Sequence, residues 1–405
     1  ATTEIYTLSL PTLFRSMAQA LITPGVLSWA RERAHISIDV LASKLHKAPE
    51  HLRAWEKGES KPTFKQAQVL ANKLHIPFGY LFLSQPPVEK LPIPDLRTVG
   101  DNGIDEVSSA FKDLLNDIKR KQSWYRDYAI ESGEEEFVYL GKFSLNDGVK
   151  KVSESIREAL DYNSADRSKY YKSDDYFKFL TSRIEDIGVL VMRNSVLGSN
   201  THRKLSVNEF RGFAISDLYA PLIFINSSDA NNAKIFTLIH ELAHLWIGES
   251  GISSVDLSKE DENKIEKFCN SVSAEVLVPE NEFRTKWNHS KEVVENVITT
   301  AGYFKVSTFV MARRAWELNL IDASTFFSYY KQASEDFNQI NKQKKEEKNH
   351  GGNPFANTWS RNGKRFSKAV AESAVNQSLL LRDAGKLLNM NPNNVLEFAK
   401  NLGVR

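Results

Sequence analysis

The stretch 236-FTLIHELAHLWIG-248 places two histidines four residues apart among apolar side chains, with a glutamate directly after the first histidine. Positions four apart share one face of an α-helix, so His240 and His244 can converge on a single metal ion. Zinc in catalytic sites takes three protein ligands, imidazoles often among them, and leaves the fourth position to water. A carboxylate at Glu241 can exchange a proton with that water. This helix therefore predicts a metal-dependent hydrolytic site.

The same three residues have a simpler interpretation, as incidental polar groups or as core histidines satisfied by hydrogen bonds. Burying three ionisable groups without a metal is costly, and the residues around them are apolar, so a metal is the favoured interpretation. Two histidines and a carboxylate suit Mn²⁺ and other divalent ions as well as Zn²⁺. The residues alone therefore leave the identity of the ion open.

The third ligand is expected from 262-ENKIEKFCNSVSAEVLVP-279, which carries three acidic residues on or near a second predicted helix, Glu262, Glu266 and Glu275. Glu266 has Asn270 four residues further on, where an amide can hydrogen-bond to a ligating histidine and orient it. All three acids also fit a solvated helix face, which is the favoured interpretation for Glu262. Glu266 is the preferred ligand of the three.

Short runs rich in Val, Ile and Phe precede the histidine helix and predict a small sheet, at 187–192, 212–216 and 221–226. The histidine helix is expected within 227–248, with Ser and Asp as capping candidates at its start and Gly248 as its stop. A second helix is expected over 259–277 and is ended by Pro279. The metal-binding pattern is therefore predicted on a helix that directly follows a strand.

The bulk composition narrows the class of protein. The 405 residues are 41% hydrophobic and 26% charged, which is typical of a globular chain with two or three domains. Lys and Arg number 53 against 51 Asp and Glu, and this balance favours neither a nucleic-acid coat nor a membrane-surface protein. The single cysteine, Cys269, cannot form an internal disulfide, and no signal peptide or long apolar run is recognisable. A cytoplasmic location without a membrane partner is expected.

Three consecutive segments, GFAISDLYAPLIFINSSD from 212, FTLIHELAHLWIGESGIS from 236 and IEKFCNSVSAEVLVP from 265, resemble the ImmA/IrrE family of metallo-endopeptidases. The resemblance covers residues 176–290. It implies a zinc-dependent peptidase in which His240, His244 and Glu266 match the ligands and Glu241 the general base. It also implies a protein substrate, a repressor or antitoxin, cleaved in regulated proteolysis. No motif fixes the groups that stabilise the reaction intermediate; His202 and Tyr219 are candidates, although each also fits an ordinary surface or packing role.

Residues 24–83 have a dense helical pattern that resembles the XRE/Cro-type helix-turn-helix domain. The segment 37-SIDVLASKL-45 matches the supporting helix, and 48-APEHLRAWEKGESKP-62 matches the recognition helix and its exit loop. A small residue at a close helix contact (Ala42) and a glycine cap (Gly58) fit the pattern. Two positions depart from it, because Ile38 replaces the usual glutamine and His46-Lys47 the usual Gly-Val. The first departure removes a side chain that commonly holds a phosphate or base.

A helix-turn-helix domain implies contacts to double-stranded DNA. The expected base contacts come from Glu50, His51, Arg53 and Lys57, and the expected phosphate contacts from Lys47 and Lys61. Residues 31–65 hold eight Lys and Arg and five Asp and Glu, a net charge of +3, which is modest for a DNA-binding surface. The alternative is a fold retained as a protein-interaction or homodimer module.

The predicted fold class is mainly α with a small β-sheet (α+β). The stretch 85-QPPVEKLPIPD-95 holds four prolines and predicts an extended connector. Residues 342–405 are the most basic part of the chain, with twelve Lys and Arg against five Asp and Glu. The predicted segments are a helix-turn-helix domain (1–88), a helical connector (89–175), a zincin-like metallopeptidase domain (176–340), a flexible linker (341–352) and a separate helical module (353–405).

Two classes of function follow from this organisation. The favoured one is a regulatory zinc endopeptidase coupled to a DNA-binding domain. The other is a non-catalytic, antitoxin-like transcriptional repressor that binds a toxin or a phage-related partner and keeps the metal domain as a scaffold. Glu241 favours catalysis, because a scaffold has no use for a carboxylate beside the metal position.

Overall fold

The structure is a computed structural model that describes residues 18–89, 107–253, 264–344 and 354–404. The chain divides into two compact units. Unit 1 comprises residues 1–90 and 106–112, and unit 2 comprises residues 91–105 and 113–405. No helix within the described parts of the chain is both long enough and apolar enough to cross a membrane.

Unit 1 is a cluster of short helices. They are α1 (Pro24–Arg33), α2 (Ile38–Lys44), α3 (Pro49–Lys57), α4 (Phe64–Leu74) and a 3-10 turn, Phe78–Phe82. Gly58 ends α3 with φ at 75°, a left-handed conformation that a glycine adopts without strain. Its predicted role as the helix cap is confirmed. A bond from Arg31 Nε to Glu56 Oε1, 2.6 Å long, joins α1 to α3.

The core of unit 1 follows the predicted apolar spacing with two exceptions. Leu41, Leu52 and Leu70 are buried, as their spacing predicts. Val40 and Val69 carry the same apolar character but are 49% and 38% exposed. Each directly precedes a buried leucine, and on a helix the adjacent position turns by about 100° away from the core.

Unit 2 contains a mixed four-stranded sheet in the order β1-β5-β4-β6. Its strands are β1 (Leu190–Asn194), β4 (Gly212–Ile215), β5 (Leu222–Asn226) and β6 (Gly251–Ser253), and a hairpin beside it holds β2 (Val196–Leu197) and β3 (Asn200–Lys204). β1 pairs in parallel with β5, whereas β4 is antiparallel to both β5 and β6. The three predicted strands are present. The hairpin and β6 were not predicted, because they are short and β3 is polar and mostly exposed.

Helix α9 (Asn231–Trp246) carries the histidine motif and packs against β4 and β5. Its side chains are buried on every face from Lys234 onward. The predicted Ser and Asp capping residues do not start this helix: Ala230 is the N-cap, and Asp229 instead pairs with Arg211 at 2.8 Å. Gly248 lies just beyond the end of α9, where the sequence predicts the stop.

The remaining helices of unit 2 surround α9 and the sheet. Before the sheet come α5 (Ser109–Glu131), whose first residues belong to unit 1, α6 (Val149–Ala159), α7 (Ser164–Ser168) and α8 (Ser173–Asp186). After β6 come α10 (Lys264–Leu277), α11 (Glu280–Lys286), α12 (Val293–Phe304), α13 (Thr308–Glu317) and α14 (Ala323–Lys344). Helix α10 packs between α9 and α6. The predicted start of this second helix at 259 lies outside the described residues.

The C-terminal helices are α15 (Pro354–Asn362), α16 (Lys364–Val375), α17 (Leu381–Leu388) and α18 (Val395–Asn401). They belong to the same compact unit as the sheet, and their role as a separate module stays a prediction. Buried polar contacts hold them there: Lys121 Nζ donates to Asn362 Oδ1 at 2.9 Å, and Arg365 Nε donates to Tyr125 Oη at 2.7 Å. The predicted linker also begins too early, because residues 341–344 complete α14; residues 345–352 lie outside the described residues.

Candidate metal centre

Two helices bring three candidate ligands together inside unit 2. His240 and His244 lie one turn apart on α9, and Glu266 lies on the first turn of α10. The two imidazole Nε2 atoms are 3.1 Å apart. Glu266 Oε2 is 3.1 Å from His240 Nε2, and Glu266 Oε1 is 3.3 Å from His244 Nε2. In the described parts of the chain, this is the group of three His, Cys, Asp or Glu side chains that can hold an ion.

These separations are close to the edges of a zinc coordination tetrahedron. With ligand bonds of 2.0–2.1 Å, neighbouring ligand atoms of a tetrahedral zinc ion lie about 3.3 Å apart. The distance between the two imidazole Nε2 atoms is 3.1 Å, and each imidazole lies 3.1 or 3.3 Å from a different one of the two Glu266 oxygens. Two imidazole nitrogens and one carboxylate are also the chemical type of ligand that catalytic zinc sites use. One ligand atom from each residue lies within 4.8 Å of the others, so the group fits a metal ion in its chemistry and its approximate spacing.

Burial and the contacts between the candidate ligands favour metal-binding charge states for His244 and Glu266. Both histidines are fully buried, and Glu266 is 6% exposed. Burial lowers the pKa of His244, which keeps the ring in the neutral form that can bind a metal. Burial of Glu266 opposes its ionisation, but the two neighbouring imidazoles outweigh burial and lower the pKa of the carboxyl. The surroundings thus favour a neutral His244 imidazole and an ionised Glu266 carboxylate.

Glu241 follows His240 on α9 and is completely buried. Strand β4 passes directly over it at Gly212: a Cβ atom built on this glycine would lie 2.8 Å from Glu241 Oε1 and 2.7 Å from Thr237 Cγ2. Real Cβ atoms essentially never approach other atoms this closely, so a larger residue here would force these side chains or the backbone to shift. The backbone of β4 therefore forms one wall of the space that the Glu241 side chain occupies.

Residues 184–315, which contain all four of these side chains, match the Peptidase_M78 family model, described as the IrrE N-terminal-like domain. These residues are similar to that family and are called the IrrE-like domain below. Residues 27–81 match a helix-turn-helix model, and residues 362–401 match a domain of unknown function, DUF8813. Both predicted resemblances are thereby confirmed. No curated protein and no solved structure matches the chain.

The other acidic candidates of the IrrE-like domain have different surroundings. Glu275 pairs with Arg314, and its Oε1 accepts the backbone N–H of Glu280 at 3.3 Å. This carboxylate therefore joins α10 to α13 and to the start of α11. Glu262 lies outside the described residues. Asn270 lies one turn after Glu266 and, with Phe236, lines a small crevice; its orienting role stays a prediction.

The two candidates for stabilising the reaction intermediate lie on the periphery of the IrrE-like domain. His202 is exposed on β3. Tyr219 follows β4 and donates its hydroxyl to Glu136 Oε1 at 2.9 Å, a bond that raises the pKa of the phenol. Their catalytic role stays a prediction. Gly212 was missed by the sequence analysis, although a glycine inside a strand signals a close backbone approach.

The helix-turn-helix domain presents its candidate DNA contacts to solvent. All six of the predicted side chains are exposed, namely Lys47, Glu50, His51, Arg53, Lys57 and Lys61. Arg53 Nη1 lies 3.3 Å from Glu50 Oε1, and Arg53 Nη2 lies 3.6 Å from Asp39 Oδ1. All three side chains are about half exposed or more. Such exposed pairs are weak and exchange readily for a phosphate or a base edge.

Proposed function

We propose that the chain is a zinc-dependent endopeptidase that cleaves a regulatory protein. The convergence of His240, His244 and Glu266 at approximately the spacing of zinc ligands carries this proposal. These three side chains would hold the ion, and zinc is the favoured metal; Mn²⁺ also suits the ligand set. When bound, zinc would supply Lewis-acid chemistry, polarising a water molecule and the substrate carbonyl.

Glu241 is the proposed general base. Glu241 follows His240 on the same buried helix, so its carboxylate would lie near a water held at the ligand group. It would take a proton from this water as the water attacks the peptide carbonyl, and then pass the proton to the departing amine. The buried surroundings strengthen each of these charge interactions, since little water is present to screen them.

The helix-turn-helix domain supports a regulatory role. A peptidase domain in the same chain as a helix-turn-helix domain is expected to act on a small number of regulatory proteins. We therefore propose a repressor or antitoxin as its substrate. Exposed basic residues on α3 and beside it, such as Arg53 and Lys57, would contact double-stranded DNA. A non-catalytic repressor is the less favoured alternative, because a scaffold would not need the buried Glu241 carboxylate beside the candidate ligands.

Glu241→Gln tests the proposed mechanism. The amide keeps the size of the side chain but cannot accept a proton, so cleavage should fall by about two to four orders of magnitude while bound zinc is unchanged. The zinc-loaded protein is incubated with the products of adjacent genes, with and without a chelator, and fragments are identified by mass spectrometry. A Glu241→Gln protein that retains zinc and cleaves at the normal rate would contradict the proposed role of Glu241 as the base.

A further inference from the structure

A cleft of about 440 Å³ lies where the first C-terminal helix, α15, meets α8 and β1. Phe177, Val191 and Trp359 form apolar walls, and the exposed Ala356 lines its edge. This volume is within the range of small-molecule sites, which combine apolar walls with a few placed polar groups. The residues of the candidate metal centre do not line it.

The cleft is unusually basic for its degree of burial. Arg193 lies in it, and Lys178 and Lys364 line it as well, whereas Glu185 is the single acidic side chain among the lining residues. The Glu185 carboxylate accepts the backbone N–H of Arg365 at 3.1 Å and so faces the start of α16. Burial raises the pKa of Glu185 to about 7, so near neutral pH its negative charge offsets the cations only in part.

Arg193 is the cation best placed to hold a ligand. Its Nε donates to Ser360 Oγ at 2.8 Å, and its guanidinium carbon lies 5.1 Å from the centre of the Phe177 ring. The pKa of Arg193 is lowered by burial, which means that its charge is poorly compensated. Asp174 is the acid that acts on it, and this carboxylate is bonded to Lys178 at 2.7 Å.

A second buried cation approaches the same aromatic ring from the metal-binding helix. Lys234 of α9 is 7% exposed, and its Nζ lies 5.9 Å from the centre of the Phe177 ring. Burial, followed by repulsion from Arg193, lowers the pKa of Lys234. Two buried cations that repel each other favour the arrival of an anion, which would relieve this repulsion.

One polar residue of the cleft lining, Thr181, has a hydroxyl oxygen without a hydrogen bond among the described residues. This oxygen is buried. A buried hydroxyl without a partner costs free energy. Thr181 lies on α8 one turn after Phe177 and is one of the residues that line the same cleft.

We propose that this cleft binds a small organic anion. The carboxylate, sulfonate or phosphate group of the ligand pairs with Arg193, and its apolar body lies between Phe177 and Trp359. Because α15 supplies one wall and α8 and β1 supply the others, the ligand bridges the C-terminal helices and the sheet of unit 2. This proposal is independent of the peptidase mechanism.

The test uses the full chain and the fluorescent probe 1-anilinonaphthalene-8-sulfonate, which joins a sulfonate to an aromatic body. Fluorescence titration should show one saturable site per chain, and decanoate should displace the probe whereas decylamine should not. Arg193→Gln removes the charge and should weaken binding about tenfold or more, the usual scale for a lost charge-assisted bond. Ala356→Trp fills the cleft from an exposed helix position and should weaken binding similarly with all charges intact.

Arg183→Gln is the matched control. Arg183 lies on the same helix and stacks on an aromatic ring, Phe179, at 5.5 Å, but it does not line the cleft. Its removal should leave the affinity within about twofold, and thermal melting establishes that each variant is folded. The proposal is overturned if no saturable binding occurs, if Arg193→Gln and Ala356→Trp bind like the original chain, or if decylamine competes as well as decanoate.

Discussion

Gly212 shows how much a single residue of the sheet contributes to the candidate metal centre. The candidate ligands were predictable from the sequence, because His240 and His244 follow from spacing alone and the family resemblance supplied Glu266. The contact of β4 with Glu241 could not be predicted in the same way, because it joins Gly212 and Glu241, which are 29 residues apart in the sequence. A strand glycine signals a close approach but does not tell which side chain is approached.

Replacing Gly212 with alanine should disturb the base without touching a metal ligand. The new Cβ would overlap Glu241 Oε1 and Thr237 Cγ2, so these side chains, β4 or α9 must shift. We expect a loss of about 1–3 kcal/mol in the free energy of unfolding, as for other overpacked cores, measured by urea denaturation. Cleavage should fall while the zinc content stays constant.

Gly302→Ala provides the control for this substitution. Gly302 lies on α12, and a Cβ atom there meets nothing within 4 Å. Alanine at this position should stabilise the chain slightly, by about 0.5–1 kcal/mol, since glycine is a poor helix former. If Gly212→Ala were as stable as Gly302→Ala, the close packing of β4 over Glu241 would be disproved.

At the scale of elements, the helices were easier to predict than their ends and partners. The histidine helix, its stop at Gly248 and three strands of the sheet were present in the apolar patterns. The two-residue β2 and the polar β3 were not, because such short segments carry little periodicity. The exposed Val40 shows the opposite error, since apolar character alone does not decide which face is buried.

Helix α3 is the element on which the DNA-binding prediction depends. Arg53→Ala should weaken binding to promoter DNA about tenfold and should reduce the salt dependence of the affinity, because Arg53 is exposed on the predicted recognition helix. Fluorescence anisotropy at several salt concentrations measures both effects. Lys73→Ala on α4 is the control, as this exposed lysine lies outside the recognition helix. Equal losses for both variants would indicate non-specific attraction instead of recognition by α3.

Glu185, a buried carboxyl on α8 that faces the start of α16, should make the free energy of unfolding depend on pH. Burial raises the pKa of this carboxyl from an ordinary value of 4.5 to about 7, so the folded state favours the protonated form. Between these values the folded state binds more protons than the unfolded state, and stability falls as the pH rises from about 4.5 to about 7. The contribution is on the order of 3 kcal/mol.

Glu185→Gln cannot ionise and should remove this loss. Urea denaturation at pH 5 and pH 8 should show a smaller decrease in stability between the two pH values than in the original chain. The exposed Glu154 on α6 provides a matched control, and Glu154→Gln should leave the decrease unchanged. An unchanged decrease in Glu185→Gln would mean that the buried carboxyl does not control this pH dependence.

At the scale of the whole molecule, the sequence indicated the two matched domains and the helical C-terminal segment, but not the contacts that this segment makes. Its positive charge and the polar stretch before it suggested an independent module. The structure joins it to the body of unit 2 through side chains far apart in sequence, such as Lys121 with Asn362. Single buried polar pairs of this kind leave no periodic trace in the sequence, so composition could not predict this docking.

The zinc content of the whole chain and its X-ray absorption spectrum at the zinc edge test the central claim most directly. We predict one zinc ion per chain with two imidazoles and only oxygen donors besides them, at about 2.0–2.1 Å. Cys269 is buried on α10 close to Glu266, so a sulfur ligand is the informative alternative. A zinc–sulfur distance of about 2.3 Å, or a chain that binds no zinc, would contradict the site formed by His240, His244 and Glu266.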